Sequence, residues 1–238
     1  MSEILGLIEK QLAARFNLDA RQCQQLAQYY DMLVDWNTRM NLTAITEPQA
    51  VVEKHFLDSL LLLEDVSFRE SEQLIDVGTG AGFPGIPLAI ACPWLSVMLL
   101  DSLRKRVGFL QTVAETLQLE NVRSYHDRAE LFAKRSDQRD AYDWATARAV
   151  ARLPLLAEYC LPFVRPGGTF IACKGPDGSA ELDEAKKALK ALNGVYERTC
   201  THTLPGGELR DILLIKKTGT TPKRFPRKPG AAAKAPIV

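Results

Sequence analysis

Cysteine, histidine and long apolar runs are all scarce in this chain, and each scarcity removes a class of explanation. The five cysteines, Cys23, Cys92, Cys160, Cys173 and Cys200, are odd in number and widely spaced. No two form a C-x-x-C pair, so neither a disulfide framework nor a zinc site is signalled, and no metal is expected. The three histidines, His55, His126 and His202, are equally scattered. His55, inside the helical pattern VVEKHFLDSL, reads first as a packing or helix-surface residue and second as a functional one. No apolar stretch approaches the roughly 20 residues of a membrane-spanning helix, and MSEILGLIEKQL lacks the basic start and small-residue cleavage site of a leader. A cytoplasmic, monomeric protein with no membrane partner is expected.

Acidic residues are missing from one end. From Lys216 onward there are seven basic residues and no acidic one, leaving 23 basic against 29 acidic groups, a net of −6, in the rest of the chain. That asymmetry suggests a polyanion met by a basic tail, or else a tail that only solubilises. Residues 218–238 are rich in Gly, Pro, Ala and Lys, and are expected to lack regular structure.

What is present is the texture of an α/β protein. With 238 residues, 46% of them apolar, the chain can bury a large core. Residues 2–16 and 22–37 place apolar side chains at helical spacing, and a third helix is predicted from a capping box at Thr46-Glu47-Pro48-Gln49. These make residues 1–70 an N-terminal helical extension. Residues 71–217 then alternate short apolar runs, LIDV, SVMLLD, VRSYH, WATA and TFIACK, with helical patterns at 84–92, 103–118, 153–164 and 179–193. Two last runs, VYERTCTHTL and RDILLIKK, are separated only by a Pro-Gly-Gly loop and predict an antiparallel edge hairpin. The fold class is therefore a doubly wound, mostly parallel, seven-stranded α/β sheet.

The stretch QLIDVGTGAGFPGIPLAI carries the chemistry. Gly80, Gly82 and Gly85 satisfy G-x-G-x-x-G after a strand, a weak match to dinucleotide binding taken alone. The next strand ends in Asp101, where a carboxylate can accept both hydroxyl hydrogens of a ribose. The strand after it ends in HDRAE, where Glu130 and nearby backbone groups could read an adenine edge. An adenosine ligand follows, whether of a nicotinamide enzyme or of a methyl-transfer enzyme. Asp76, directly before Val-Gly-Thr-Gly, argues against the first.

D-V-G-T-G-A-G-F resembles motif I of the class I S-adenosylmethionine-dependent methyltransferases, and Arg165-Pro166-Gly167-Gly168 is similar to their lead into the fifth strand. NLTAI (41–45), HFLDSL (55–60), FPGIPLAI (83–90), LDSLRKRVGFL (100–110), RAE (128–130), ARAVA (147–151), KG (174–175) and PRKPG (226–230) occur in order. Together they resemble the RsmG (GidB) family of 16S rRNA guanine-N7 methyltransferases, over nearly the whole chain. Ala147, where many members have serine, is a departure that leaves Arg148 in place. The resemblance implies S-adenosylmethionine as cofactor, contacted by Gly78, Phe83, Ala129, Glu130 and Arg148, with Gly80 beside them and Asp101 on the ribose. It implies a target guanine in the 530 loop, position 527, within 16S rRNA, the 30S subunit or an assembly intermediate. Phe83 reads equally well as core.

Guanine N7 has a free lone pair, so no general base is expected. Arg148 and Lys174, at strand ends, are the candidates for positioning the reacting groups. Lys105, Arg106, Arg128, Arg152 and Arg210, with Lys223, Arg224, Arg227 and Lys228 in the tail, are the candidates for RNA contact. The same cofactor site could instead serve a small-molecule or protein methyltransferase, or a binding module without catalysis.

Overall fold

The computed structural model describes residues 3–176 and 178–238. Seven strands, β1 (Gln73–Val77), β2 (Ser96–Asp101), β3 (Val122–His126), β4 (Tyr142–Arg148), β5 (Val164–Lys174), β6 (Gly194–Thr203) and β7 (Leu209–Lys217), form one sheet in the order β3-β2-β1-β4-β5-β7-β6. The first five pair in parallel, and β7 runs antiparallel to both β5 and β6. β1 has Leu74, Ile75 and Val77 buried on both faces, which is why its sequence is a continuous apolar run rather than an alternation. β6, at the edge, keeps Val195 to Arg198 exposed. The hairpin between β6 and β7 matches its expectation.

Two strands are longer than their apolar runs. Tyr142 already pairs with Val164, and the register shifts before Trp144 meets Thr169. Arg165-Pro166-Gly167-Gly168 thus forms an irregular start to β5 rather than a lead into it; proline and glycine are tolerated at such a bulge. The helix expected over 153–164 is Leu153–Cys160, followed by a tighter turn at Leu161–Phe163. Pro162 has no N–H to continue the helical ladder.

The sheet has a core on each side. Helical residues 3–16, Ala20–Asn37 and 48–65 pack with Gly85–Ala91 and Arg104–Thr116 against one face; Leu153–Cys160 and Gly178–Ala191 cover the other. The N-terminal helices are therefore part of the main core. Ser2, where the first predicted helix begins, lies outside the described residues. A capping box does occur, but at Asp19 and Gln22, each side chain accepting the other's backbone N–H at 2.8 Å. At the third helix the cap is Glu47, with no side-chain bond, so the expected box at Thr46 is absent. Two stretches, Glu9–Ala13 and Val52–Leu57, widen into π-helical turns.

The tail departs most from expectation. Lys217 is fully buried at the end of β7, its ammonium donating to Asp140, Thr221 and the Leu161 and Val164 carbonyls. Beyond it Phe225 enters the core, a short helix forms at Ala231–Lys234, and Arg227 makes a two-pronged pair with Glu158. The tail is a docked strap, because one aromatic ring and one arginine find buried partners that its composition does not reveal.

Candidate active site

The sheet order reverses between β1 and β4, where open α/β sheets hold ligands beyond their strand ends. Here the glycine loop leaves β1 with Gly78 at φ +72°, and a Cβ there would stand 2.8 Å from Val150 of the opposing loop. Asp76, fully buried, fastens the loop from below. Its Oδ2 accepts the Thr79 hydroxyl at 2.7 Å and the Gly85 N–H at 2.9 Å, while Oδ1 has no partner among the described residues. Burial pushes its carboxyl up to about 6, against the pull of Thr79, Gly85 and Arg148. At Gly85 a Cβ would lie 2.3 Å from Leu99 and 3.0 Å from Asp76 Oδ2, so helix and loop meet there without room for a side chain. Asp101, at the end of β2, accepts the Gly80 N–H at 3.0 Å and the Leu103 N–H at 2.8 Å.

Over the loop sits a layered cluster. The Phe83 ring, 6% exposed, stacks with His55 at 4.5 Å and 19°, and the Arg148 guanidinium lies 5.2 Å from its centroid. Tyr29 tilts against the same ring and donates to the Ala81 carbonyl. His55 belongs to the π-helical turn, a feature found often at functional sites. Its Nδ1 donates to the Lys54 carbonyl at 3.1 Å, so Nε2 accepts the Thr43 hydroxyl at 2.8 Å. Burial, and then the charge of Arg148, push the imidazole down to about 4. It is neutral at pH 7. Thr43 Oγ1 in turn accepts the Ile45 N–H, so a neutral imidazole secures the NLTAI loop at the cleft wall.

The resulting cleft is about 810 Å³ and brings together distant parts of the chain. Gly78, Thr79, Gly80, Ala81 and Phe83 form its floor; Arg148 to Arg152 follow from β4, Cys173 to Gly175 from β5 and Arg210 to Ile212 from β7. Leu42, Thr43, Ile45, Lys54, His55 and Asp58 close it from the helical side. Arg148 donates to Asp58 at 2.8 Å, and Lys174 donates to Glu181 at 2.7 Å and to the Ala151 carbonyl at 2.6 Å. Lys174 therefore holds the 149–152 loop. Asp101 and Glu130 are buried and are not among the groups lining this cleft. The Glu130 carboxylate accepts the Gly230 N–H at 3.0 Å and pairs with Arg128. Burial alone would raise it, but those donors and its own backbone N–H hold it below the usual carboxylate range. Ala129 is half-buried beside it.

Of the expected RNA cations, Arg106, Arg152 and Arg210 line the cleft, paired with Asp101, Glu184 and Asp58 respectively. Lys105, Lys223, Arg224 and Lys228 are exposed, whereas Arg227 is committed to Glu158. Arg227 thereby anchors the strap. Sequence reasoning assigned no role to Asp58 or Thr43. The available signal for Asp58 was a single acid inside the apolar run HFLDSLLLL, since a charge there must find a partner.

Residues 22–205 match the family model GidB, described as rRNA small subunit methyltransferase G. Among curated relatives, ribosomal RNA small subunit methyltransferase G of Bacillus subtilis (strain 168) is 48% identical over 233 residues, 98% of this chain and 96% of its own length. The Bacillus cytotoxicus protein of the same name is 49% identical, covering 93% of both chains. A solved O-methyltransferase from Bacillus cereus, in complex with SAH, has the same fold at a TM-score of 0.57 and 14% identity, over 91% of this chain and 98% of that one.

Proposed function

Because the chain belongs to the GidB family of rRNA small subunit methyltransferases, we propose that it transfers a methyl group to N7 of a guanine in the 530 loop of 16S rRNA. It acts as a cytoplasmic monomer on 16S rRNA, free or within the 30S subunit or its assembly intermediates. The observation that carries this reading is the cleft itself: a glycine floor at the sheet's switch point, walled by Arg106, Arg148, Arg152 and Arg210. Among the described residues no helix is long and apolar enough to cross a membrane.

S-adenosylmethionine supplies an electrophilic methyl group on its sulfonium. The residues present suit it: the missing Cβ of Gly78 leaves the backbone approachable, and the cleft falls in the range of about 300–1,000 Å³ of small-ligand sites. Gly78, Gly80, Phe83 and Arg148 would hold the amino-acid end, where Arg148 could pair with a carboxylate. Asp101, Ala129 and Glu130 would hold the adenosine end, where the two carboxylates could exchange internal hydrogen bonds for external ones.

The guanine N7 lone pair would take the methyl carbon as its bond to sulfur breaks, leaving neutral S-adenosylhomocysteine and a cationic N7-methylguanine, and no proton is removed beforehand. The chain's task is orientation and exclusion of water. Arg148 is held over Phe83 by Asp58; Lys174 fixes the loop carrying Val150 through the Ala151 carbonyl; Leu42, Ile45 and Ile212 give the cleft wall apolar surface. Neutral His55 secures Phe83 and Thr43 without exchanging protons. A guanine within an A-form helix is poorly reachable, so an unpaired base is the substrate.

The test is methylation of 16S rRNA and 30S particles from cells lacking the protein, followed by nuclease digestion and mass spectrometry. One N7-methylguanine in the 530 loop is expected. Methylation of a small molecule or protein, with none on RNA, would overturn the reading.

A further inference from the structure

Asp58 opens a helical turn in which its chain neighbours are apolar or buried. Its side chain is 9% exposed, and its two oxygens go to different arginines: Oδ2 to Arg148 Nη1 at 2.8 Å, Oδ1 to Arg210 Nε at 3.2 Å. Arg148 stands at the end of β4 and Arg210 near the start of β7, with β5 between those strands. The sheet spaces their backbones through β5, where Cys173 pairs with both Arg148 and Ile212, and the carboxylate brings the two guanidinium groups together on one acceptor.

The arrangement leaves both arginines serviceable. A guanidinium has five N–H donors; Arg148 spends one on Asp58 in a hydrogen bond, and Arg210 meets the other oxygen as an ion pair. Arg148 also points Nη1 toward the Lys54 carbonyl at 3.5 Å, and Arg210 turns Nη1 to the Leu209 carbonyl at 3.0 Å. The helix that carries Asp58 is tied to the β6–β7 hairpin a second time, by Lys54 and Glu208, four residues before Asp58 and two before Arg210. Helix and hairpin are thus registered at two points, and a shift of either would misplace both arginines.

We propose that Asp58 is a positioning residue that links the two grips of the reaction, setting Arg148 toward the cofactor's carboxylate and Arg210 toward an RNA phosphate. The inference rests on the methyl-transfer reading above. It follows from charge sharing: a group that draws Arg210 off Asp58 leaves the carboxylate to Arg148 alone, which is then less available to the cofactor. Such linkage is reciprocal in binding free energy.

The decisive experiment is a mutant cycle on single-turnover methylation of 16S rRNA, with Asp58→Asn introduced into wild type, Arg148→Ala, Arg210→Ala and the double arginine variant. In wild type, Asp58→Asn should lower the saturated rate about tenfold or more, the worth of a charge-assisted hydrogen bond, and raise KM for RNA. In Arg148→Ala it should lower the rate no further, and in Arg210→Ala it should raise KM no further. Equal, additive losses in every background, or unchanged constants in a folded Asp58→Asn protein, would overturn the proposal. Should Asp58→Asn fail to fold, Arg210→Ala decides alone. This partly exposed residue, removed in the absence of RNA, should weaken S-adenosylhomocysteine binding at least threefold by calorimetry, and unchanged affinity would defeat the link. A wild-type protein that binds S-adenosylhomocysteine yet methylates no RNA would defeat the functional reading instead, while the RNA-free calorimetry still decides the role of Asp58.

Discussion

His55 lies flat on Phe83, with ring centroids 4.5 Å apart and 19° between the planes, and both its nitrogens are already engaged with Lys54 and Thr43. Burial and the nearby charge of Arg148 favour the neutral ring there, and this makes a pH signature. The unfolded chain protonates His55 near pH 6.5, but the folded chain resists until about 4. Between those values the unfolded state binds more protons, so this group's contribution is complete above pH 6.5 and is lost as pH falls toward 4. Asp76 acts in the opposite sense: its folded carboxyl, raised from 3.8 to about 6, binds a proton that the unfolded one has released, so stability falls as pH rises through that interval. Urea midpoints at pH 4.5 and 6.5 should therefore rise less with pH in His55→Phe, and more in Asp76→Asn, than in wild type. An identical rise in all three would contradict both assignments.

Gly78→Val should remove cofactor binding while leaving the fold intact. The left-handed φ penalises any side chain by roughly 1–2 kcal/mol, and the new Cβ would press on Val150 across the cleft. The Val150 side chain is partly exposed and has room to yield, so closure of the cleft, not unfolding, is the expected outcome. Calorimetry should show S-adenosylhomocysteine affinity reduced at least tenfold with near-wild-type circular dichroism.

Glu158, 1% exposed, is paired with Arg227 at 2.6 Å. Breaking a buried pair from one side costs roughly 3 kcal/mol, so Arg227→Ala should lower the melting temperature visibly, and deletion of residues 219–238 should lower it further by removing Phe225 from the core. Replacement of Lys223, Arg224 and Lys228 by Ala should behave differently. These exposed cations should leave the melting temperature unchanged and flatten the dependence of log K on log salt by about 0.7 for each lost phosphate contact on single-stranded RNA. Equal thermal losses in the two sets would refute this division.

Lys174→Met should slow methyl transfer at saturating RNA rather than weaken RNA binding. Its ammonium is held by Glu181 and the Ala151 carbonyl, so its loss frees the 149–152 loop and strands a carboxylate. A raised KM for RNA with an unchanged rate would show instead that Lys174 reaches the RNA.

The strands, their alternation with helices and the glycine loop after β1 were legible in the sequence because they depend on near neighbours. Apolar runs of four to six residues, carboxylates at strand ends and glycines where the backbone takes positive φ are local patterns, read without knowing what packs where. The hairpin of β6 and β7 was legible for the same reason, its loop being too short for a crossover. Only the tertiary structure decided which charges meet. Arg148 finds Asp58 across 90 residues, Arg227 finds Glu158 across 69 and the Gly230 amide finds Glu130 across 100. Charge pairing has no periodicity in sequence, and a basic tail reads as solvated until one ring is seen to enter the core and one guanidinium to meet a buried carboxylate. Composition raised the expectation of a polyanionic partner; folding determined which cations stay exposed.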